Sequence, residues 1–299
     1  MVIVMKNILY YFYQIVVDEN DIDKGYFSYN NHLFYLSFYS RNIKEIESLY
    51  VLNQLMLQEN MQINQIILNV NGEIITYYEN KLYVLLKIQE KNSYVFFKFL
   101  LAPTNAQFNL LKRDKWSILW SFKIDYIEYQ INHLENQYPL LCESVYYYIG
   151  LSENAISYFN MLNNIQEPLY INHRRMKKDS LYNPLELVID YKVRDITEYF
   201  KNSFFYQKST IDDLIKNFLR LNLNMMDYLL FYIRMLFPSY YFDIYEEIIN
   251  NDLDEQKILY IINLSSLYEK FLYELYQIIR KKVQLLEINW INKKFMLND

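Results

Sequence analysis

The chain has 299 residues, 53% of them hydrophobic and 22% charged, enough apolar material for one large domain or two lobes. Thirty basic against 35 acidic residues leave a net charge of −5, so no overall positive field draws nucleic acid or an anionic lipid surface. One cysteine, Cys142, excludes an internal disulfide and fits a reducing compartment.

No uncharged apolar run reaches about 18 residues, so no membrane span is expected. The opening "MVIVMKNILYYFYQIVV" lacks a basic start and a small-residue cleavage site, so it does not read as a secretion signal. Only 3 Gly and 5 Pro accompany 33 Tyr, a balance that the codons of an AT-rich genome explain without any special tyrosine function.

In chain order, residues 8 to 40 read as strands, because "ILYYFYQIVV" and "HLFYLSFYS" are aromatic and β-branched, with turn chemistry in "DENDIDKG" and "SYNN". Residues 43 to 59 read as a helix with Ile43, Ile46, Tyr50 and Leu57 on one side. In "QIILNVNGEIITYYENKLYVLLKI", Asn71-Gly72 predicts a hairpin and "YENKLY" a second turn. From residue 107 the apolar period shortens to that of a helix, Pro139 breaks it, and a second helix follows that Gly150 weakens. Two short strand-like runs, "LYIN" and "LELVIDY", interrupt the helices between residues 169 and 191. Helices resume at 193 to 205, 210 to 236, 239 to 250 and 254 to 282, with Pro238 as a break.

A small β-rich lobe with one helix, a connector, and a helical lobe interrupted by a hairpin resembles the protein-kinase-like folds, in the aminoglycoside-phosphotransferase and choline-kinase branch. More closely, "NGEIITYYENKLYVLLKI", "WSILWSFKIDYIEYQI", "LLFYIRMLFPSYYFDIYEEII" and "LLEINWINKK" resemble the CotS/YutH-type kinase-like proteins of spore-forming Firmicutes. The resemblance implies an α+β, protein-kinase-like bilobal fold, with a small antiparallel β lobe carrying one helix and a larger helical lobe. The expected division is a lobe at 1–90, a hinge at 91–105, and a helical lobe at 106–299 containing the catalytic hairpin at 169–191.

Carried over residue by residue, the family's phosphate-binding strand lysine falls on Ser37, which carries no charge; an exposed strand serine is the plain reading. The H-x-D loop becomes "HRR": His173 keeps its place, but the proton-accepting position is Arg175, which stays protonated and cannot act as a base. The metal-holding Asn falls on Ser180 by spacing, with Asn183 as the candidate if the loop is longer; Asn before Pro is also a common turn former. Asp190 in "VIDY" matches the family's metal-binding Asp, and it reads either as a Mg²⁺ ligand or as an ion-pair partner of Arg174 or Arg175. Asp195 matches the Asp that caps the next helix, a structural role. The loop between the first two expected strands carries Asp18, Glu19, Asp21 and Asp23, four acids where a triphosphate would sit.

His32, His133 and His173 show no metal-ligand spacing, "RRMKK" at 174 to 178 reads as a solvated loop or an ion-pair source, and Cys142 reads as packing. The resemblance therefore implies a kinase-like protein that has lost phosphotransfer, a cytoplasmic or spore-coat structural module. It would need no cofactor and would have protein partners among coat components. The alternatives are an active small-molecule phosphotransferase using Mg-ATP, with Asp179 orienting the acceptor, and a scaffold that binds nucleotide without turnover.

Overall fold

The computed structural model describes residues 2–89, 108–134, 136–162, 165–176 and 181–296; the expected hinge at 91–105 lies outside them. Packing divides the chain into two compact units, Met1–Lys112 with Tyr170–Ile189, and Arg113–Leu169 with Asp190–Asp299.

The β-rich unit opens with a helix where strands were expected. Helix α1 (Val2–Tyr13) buries Met5, Ile8 and Leu9, the helical spacing of one face. These pack with Phe27, Phe34, Leu36 and Leu85 of the sheet. A continuous apolar run has no period of its own to choose between strand and helix, and burial against the sheet decides. The helix closes with Gln14 at φ 55° and Ile15 N donating to Leu9 O at 3.0 Å, a left-handed stop without glycine.

The antiparallel sheet runs β1 (Tyr26–Tyr29), β2 (His32–Phe38), β5 (Lys81–Lys87) and β3 (Gln65–Ile67), with β4 (Thr76–Tyr78) also on β5. Asn71-Gly72 does not make the predicted hairpin. β3 pairs with residues 85–87 of β5 and β4 with residues 81–83, so the two lie in line along one strand instead of side by side. The Asn69 side chain holds that excursion together, accepting from Asn71 N and Glu73 N, both at 3.0 Å. The real hairpins turn at Asn30-Asn31 and Glu79-Asn80, all four residues at positive φ, as two-residue turns matching strand twist require. Helix α2 (Ile46–Gln58) is bound to β3 through buried Asn53, which donates to Asn64 O at 2.8 Å and accepts from Ile66 N at 2.9 Å.

The second unit is helical. α3 (Trp116–Leu134) and α4 (Pro139–Met161) lead it, with Pro139 at the tolerated first helical position and Gly150 inside an unbroken helix. The hairpin β6 (Leu169–His173) and β7 (Leu187–Tyr191) follows in the chain. Then come α5 (Val193–Phe205), α6 (Ile211–Leu219), α7 (Met225–Leu236), α8 (Ser239–Asn251), α9 (Leu259–Ile279) and α10 (Asn289–Met296). The single helix expected over 210–236 is two, because Asn224 and Asp227 form a reciprocal capping box that starts α7 afresh. α10 was not anticipated. Buried Phe200, Phe231, Tyr241, Phe242 and Tyr268 sit in the core of this unit.

Candidate functional site

Asp190, the last residue but one of β7, is wholly buried, 0% exposed. Its Oδ1 accepts from Trp116 Nε1 at 2.8 Å and from Tyr191 N at 2.7 Å. Its Oδ2 accepts from Arg194 Nη1, one helical turn on, and faces Arg234 Nη1 at 3.9 Å. Arg234 in turn donates through Nη2 to Glu198 Oε1 at 2.8 Å, and its guanidinium carbon lies 5.0 Å from the centre of the Trp116 ring. Lys201 closes the cluster by donating to the carbonyls of Arg234 and Phe237 at 2.7 and 2.8 Å.

The helix α5 supplies this wiring. Arg194, Glu198 and Lys201 recur at helical spacing on one face and are all buried. Burial pushes the Asp190 carboxyl up from its ordinary range against the pull of Arg194 and Arg234. Burial likewise lowers Arg234, with Arg194 adding to that and Glu198 and Asp190 opposing it. Both Asp190 oxygens accept hydrogen bonds, so a divalent cation there would compete with an indole, an amide and a guanidinium. The sequence suggested Arg174 or Arg175 as ion-pair partners of Asp190; within the helical unit it pairs with Arg194 and faces Arg234.

The other marked residues sit as follows. Ser37 is buried, not exposed as expected, opposite Val84 in the sheet, with its hydroxyl donating to Phe38 O at 3.3 Å. His173 is wholly buried at the end of β6. Arg175 lies two residues beyond and donates to Arg174 O at 3.1 Å. The Asn183 side chain accepts from Leu185 N at 3.0 Å as the cap of a short 3-10 turn begun by Pro184. Asp195 lies in the first turn of α5, where a negative charge suits the helix dipole, while the cap position itself is Lys192. Asp179 and Ser180 lie outside the described residues. The acidic segment at 18–23 runs from α1 into β1, so it is not a loop between two strands.

Sequence reasoning missed a second buried ion pair, in the β-rich unit. Arg41 Nη1 donates to the carbonyls of Leu185 and Leu187 at 2.6 and 2.7 Å, and Nη2 bonds Glu45. Glu45 Oε2 also accepts from Leu111 N at 2.9 Å. A groove of about 910 Å³ also marks this unit, lined by Tyr26, Asn30, Asn31, His32, Asn64 and Gln89 among others; no residue marked for catalysis lines it. No group of three or more metal-ligating side chains occurs among the described residues.

A family model described as "Spore coat putative kinase YutH" matches residues 6–275. The "Endospore coat-associated protein YutH" of Bacillus subtilis (strain 168) is 27% identical over 294 residues, covering 83% of this chain and 86% of that protein. Among solved structures, an aminoglycoside phosphotransferase from Alicyclobacillus acidocaldarius subsp. acidocaldarius DSM 446 superposes with a TM-score of 0.57 at 9% identity. That match covers 89% of this chain and 97% of the other. The amicoumacin kinase hAmiN, in complex with AMP-PNP, Ca²⁺ and Ami, matches at a TM-score of 0.47 and 8% identity, covering 86% and 84%. The fold is kinase-like, as the sequence implied.

Proposed function

The chain belongs to the family of spore coat putative kinases of the YutH type, and from that premise we propose that it is a coat-associated structural protein on a kinase-like fold that does not transfer phosphate. The observation that carries this reading is the state of Asp190. The carboxylate that the resemblance assigns to Mg²⁺ is wholly buried and engaged by Trp116, Arg194 and Arg234. Phosphoryl transfer is positioning and charge stabilisation. A site whose metal ligand serves an internal ion-pair network, whose base position is Arg175 and whose strand lysine position is Ser37 has lost three of its working parts.

In this reading the network has kept the aspartate for stability after its catalytic use ended. The partners are other coat proteins. Among the described residues no helix is long and apolar enough to cross a membrane.

Titration calorimetry with ATP, with and without Mg²⁺, tests the reading. The expected result is no heat and no thermal stabilisation at millimolar nucleotide. Binding tighter than about 100 μM, about −5.5 kcal/mol, that requires Mg²⁺ would show that nucleotide is still received, and transfer of phosphate from ATP to a small hydroxyl or amine substrate, abolished by Asp190→Ala, would overturn the reading.

A further inference from the structure

Helix α3 is apolar on two sides. Trp116, Trp120, Ile124, Ile127 and Ile131 enter the helical core. A second stripe, Ile118, Phe122, Tyr126 and Tyr129, repeats at the spacing that stacks side chains on one helix face, and these residues are 51%, 69%, 56% and 65% exposed. The stripe is ordered within itself. Gln130 Nε2 donates to the Tyr126 hydroxyl at 3.0 Å, and the Tyr129 ring rests against His133 with centroids 4.9 Å apart. Singly exposed apolar residues are ordinary, but contiguous stripes mark interaction surfaces.

We propose that this outer face of α3 is a homodimer interface, covered by the same face of a second copy lying antiparallel to it. Area is the first argument. Given the size of aromatic side chains, the four residues present about 450 Å² of apolar surface. A stable interface takes about 800 Å² from each partner, so the stripe alone supplies more than half.

Self-complementarity is the second argument. An antiparallel pairing centred near Tyr126 sets Phe122 against the second copy's Tyr129 and Tyr126 beside its own counterpart, so ring meets ring along the seam. The two helix dipoles then oppose each other. The pairing is also closed by a two-fold axis, the commonest symmetry of soluble oligomers.

Charge is the opposing term. Asp125 and Glu128 lie exposed beside the stripe, and the two-fold brings each Asp125 towards its copy. Exposed charges of this kind are screened and weak compared with the apolar area, so their effect is on salt dependence and not on whether the dimer forms. Added salt should therefore tighten the dimer. The rival occupant is a different protein offering basic residues to Asp125 and Glu128; that arrangement predicts a monomer in isolation.

Sedimentation velocity on the full chain across the micromolar range is the test. The expected result is a monomer–dimer equilibrium, tightened by salt, that Phe122→Ser with Tyr129→Ser weakens by about 100-fold, as loss of central aromatic anchors does. Both positions are exposed, so the variant keeps its fold, verified by circular dichroism. A Tyr126→Cys variant should form a disulfide-linked dimer under mild oxidation, since native Cys142 is buried. The proposal fails if the wild-type chain is a monomer throughout. It fails equally if the dimer survives the double substitution, loosens with salt, or leaves Tyr126→Cys uncross-linked.

Discussion

Around Asp190 in the helical unit, charge answers charge: a fully buried carboxylate sits against Arg194 and Arg234, and Glu198 meets Arg234 from the other side. Around Arg41 in the β-rich unit, one guanidinium nitrogen serves two backbone carbonyls and the other serves Glu45, whose carboxylate also takes the amide of Leu111. The Arg41 and Glu45 side chains retain 9% and 10% of their exposure, whereas the Asp190 side chain retains none. The difference shows two uses of a buried ion pair. The first is a network in which buried charges of opposite sign offset one another. The second is a fastening, in which an arginine and a glutamate tie chain segments 41–45, 111 and 185–187 together through main-chain bonds.

The contrast breaks most sharply at Asp190. Asp190→Ala leaves two buried guanidiniums facing a hole, and loss of one partner of such a network costs about 3–5 kcal/mol. Chemical denaturation is expected to show that loss, while Asp190→Asn, which retains shape and an acceptor, loses less. If Asp190→Ala were neutral or stabilising, the carboxylate would be serving a ligand instead of the network.

Arg41→Ala comes next, at about 2–3 kcal/mol, because two carbonyls and Glu45 lose a charged donor at a site water can partly reach. Its signature is local. Amide exchange should quicken at Leu111 and over residues 185–189 without a matching change near α7. A uniform loss of protection would erase the distinction between fastening and network.

The smallest effect is a pH dependence. Burial pushes both Tyr191, beside Asp190, and Tyr39, beside Arg41, up to about 12. A tyrosine in the unfolded chain ionises near pH 10, so between about pH 10 and 12 the unfolded state releases protons that the folded state keeps. Stability is therefore complete below about pH 10 and falls as pH rises towards 12, with a slope that solvent screening of these part-buried groups reduces. Asp114 and Asp190 raise Tyr191, whereas Arg41 lowers Tyr39. Arg41→Ala should thus delay Tyr39 ionisation and leave Tyr191 unmoved, read by tyrosinate absorbance in Tyr→Phe backgrounds.

Much of the architecture was legible because composition changes along the chain: aromatic strands with two-residue turns first, helical periods after. The hairpin was legible as two short strand-like runs, and an ion-paired Asp190 was one of the two readings its sequence left open. What stayed hidden is of two kinds. The run opening α1 is apolar at nearly every position, so only its docking onto the sheet shows that it is a helix. Arg194, Glu198 and Lys201 form a charged stripe at helical spacing, and such a stripe ordinarily reads as the solvent face. Their burial depends on Asp190, Trp116 and Arg234, which are 4 to 78 residues away from Arg194 in the chain and give no local signal. The same holds for Arg41, whose acceptors are carbonyls near residue 185.

The turns made without glycine have an evolutionary consequence. Nine non-glycine residues hold left-handed backbone angles among the described residues, and four of them, Gln14, Lys24, Glu79 and Lys208, are neither Asn nor Asp. Each such residue carries about 1–2 kcal/mol of steric strain that glycine would not. With only 3 glycines in 299 residues, this fold carries slack at its surface. Single changes such as Lys24→Gly or Lys208→Gly offer selection, or an engineer, cheap steps towards a sturdier protein without touching the core.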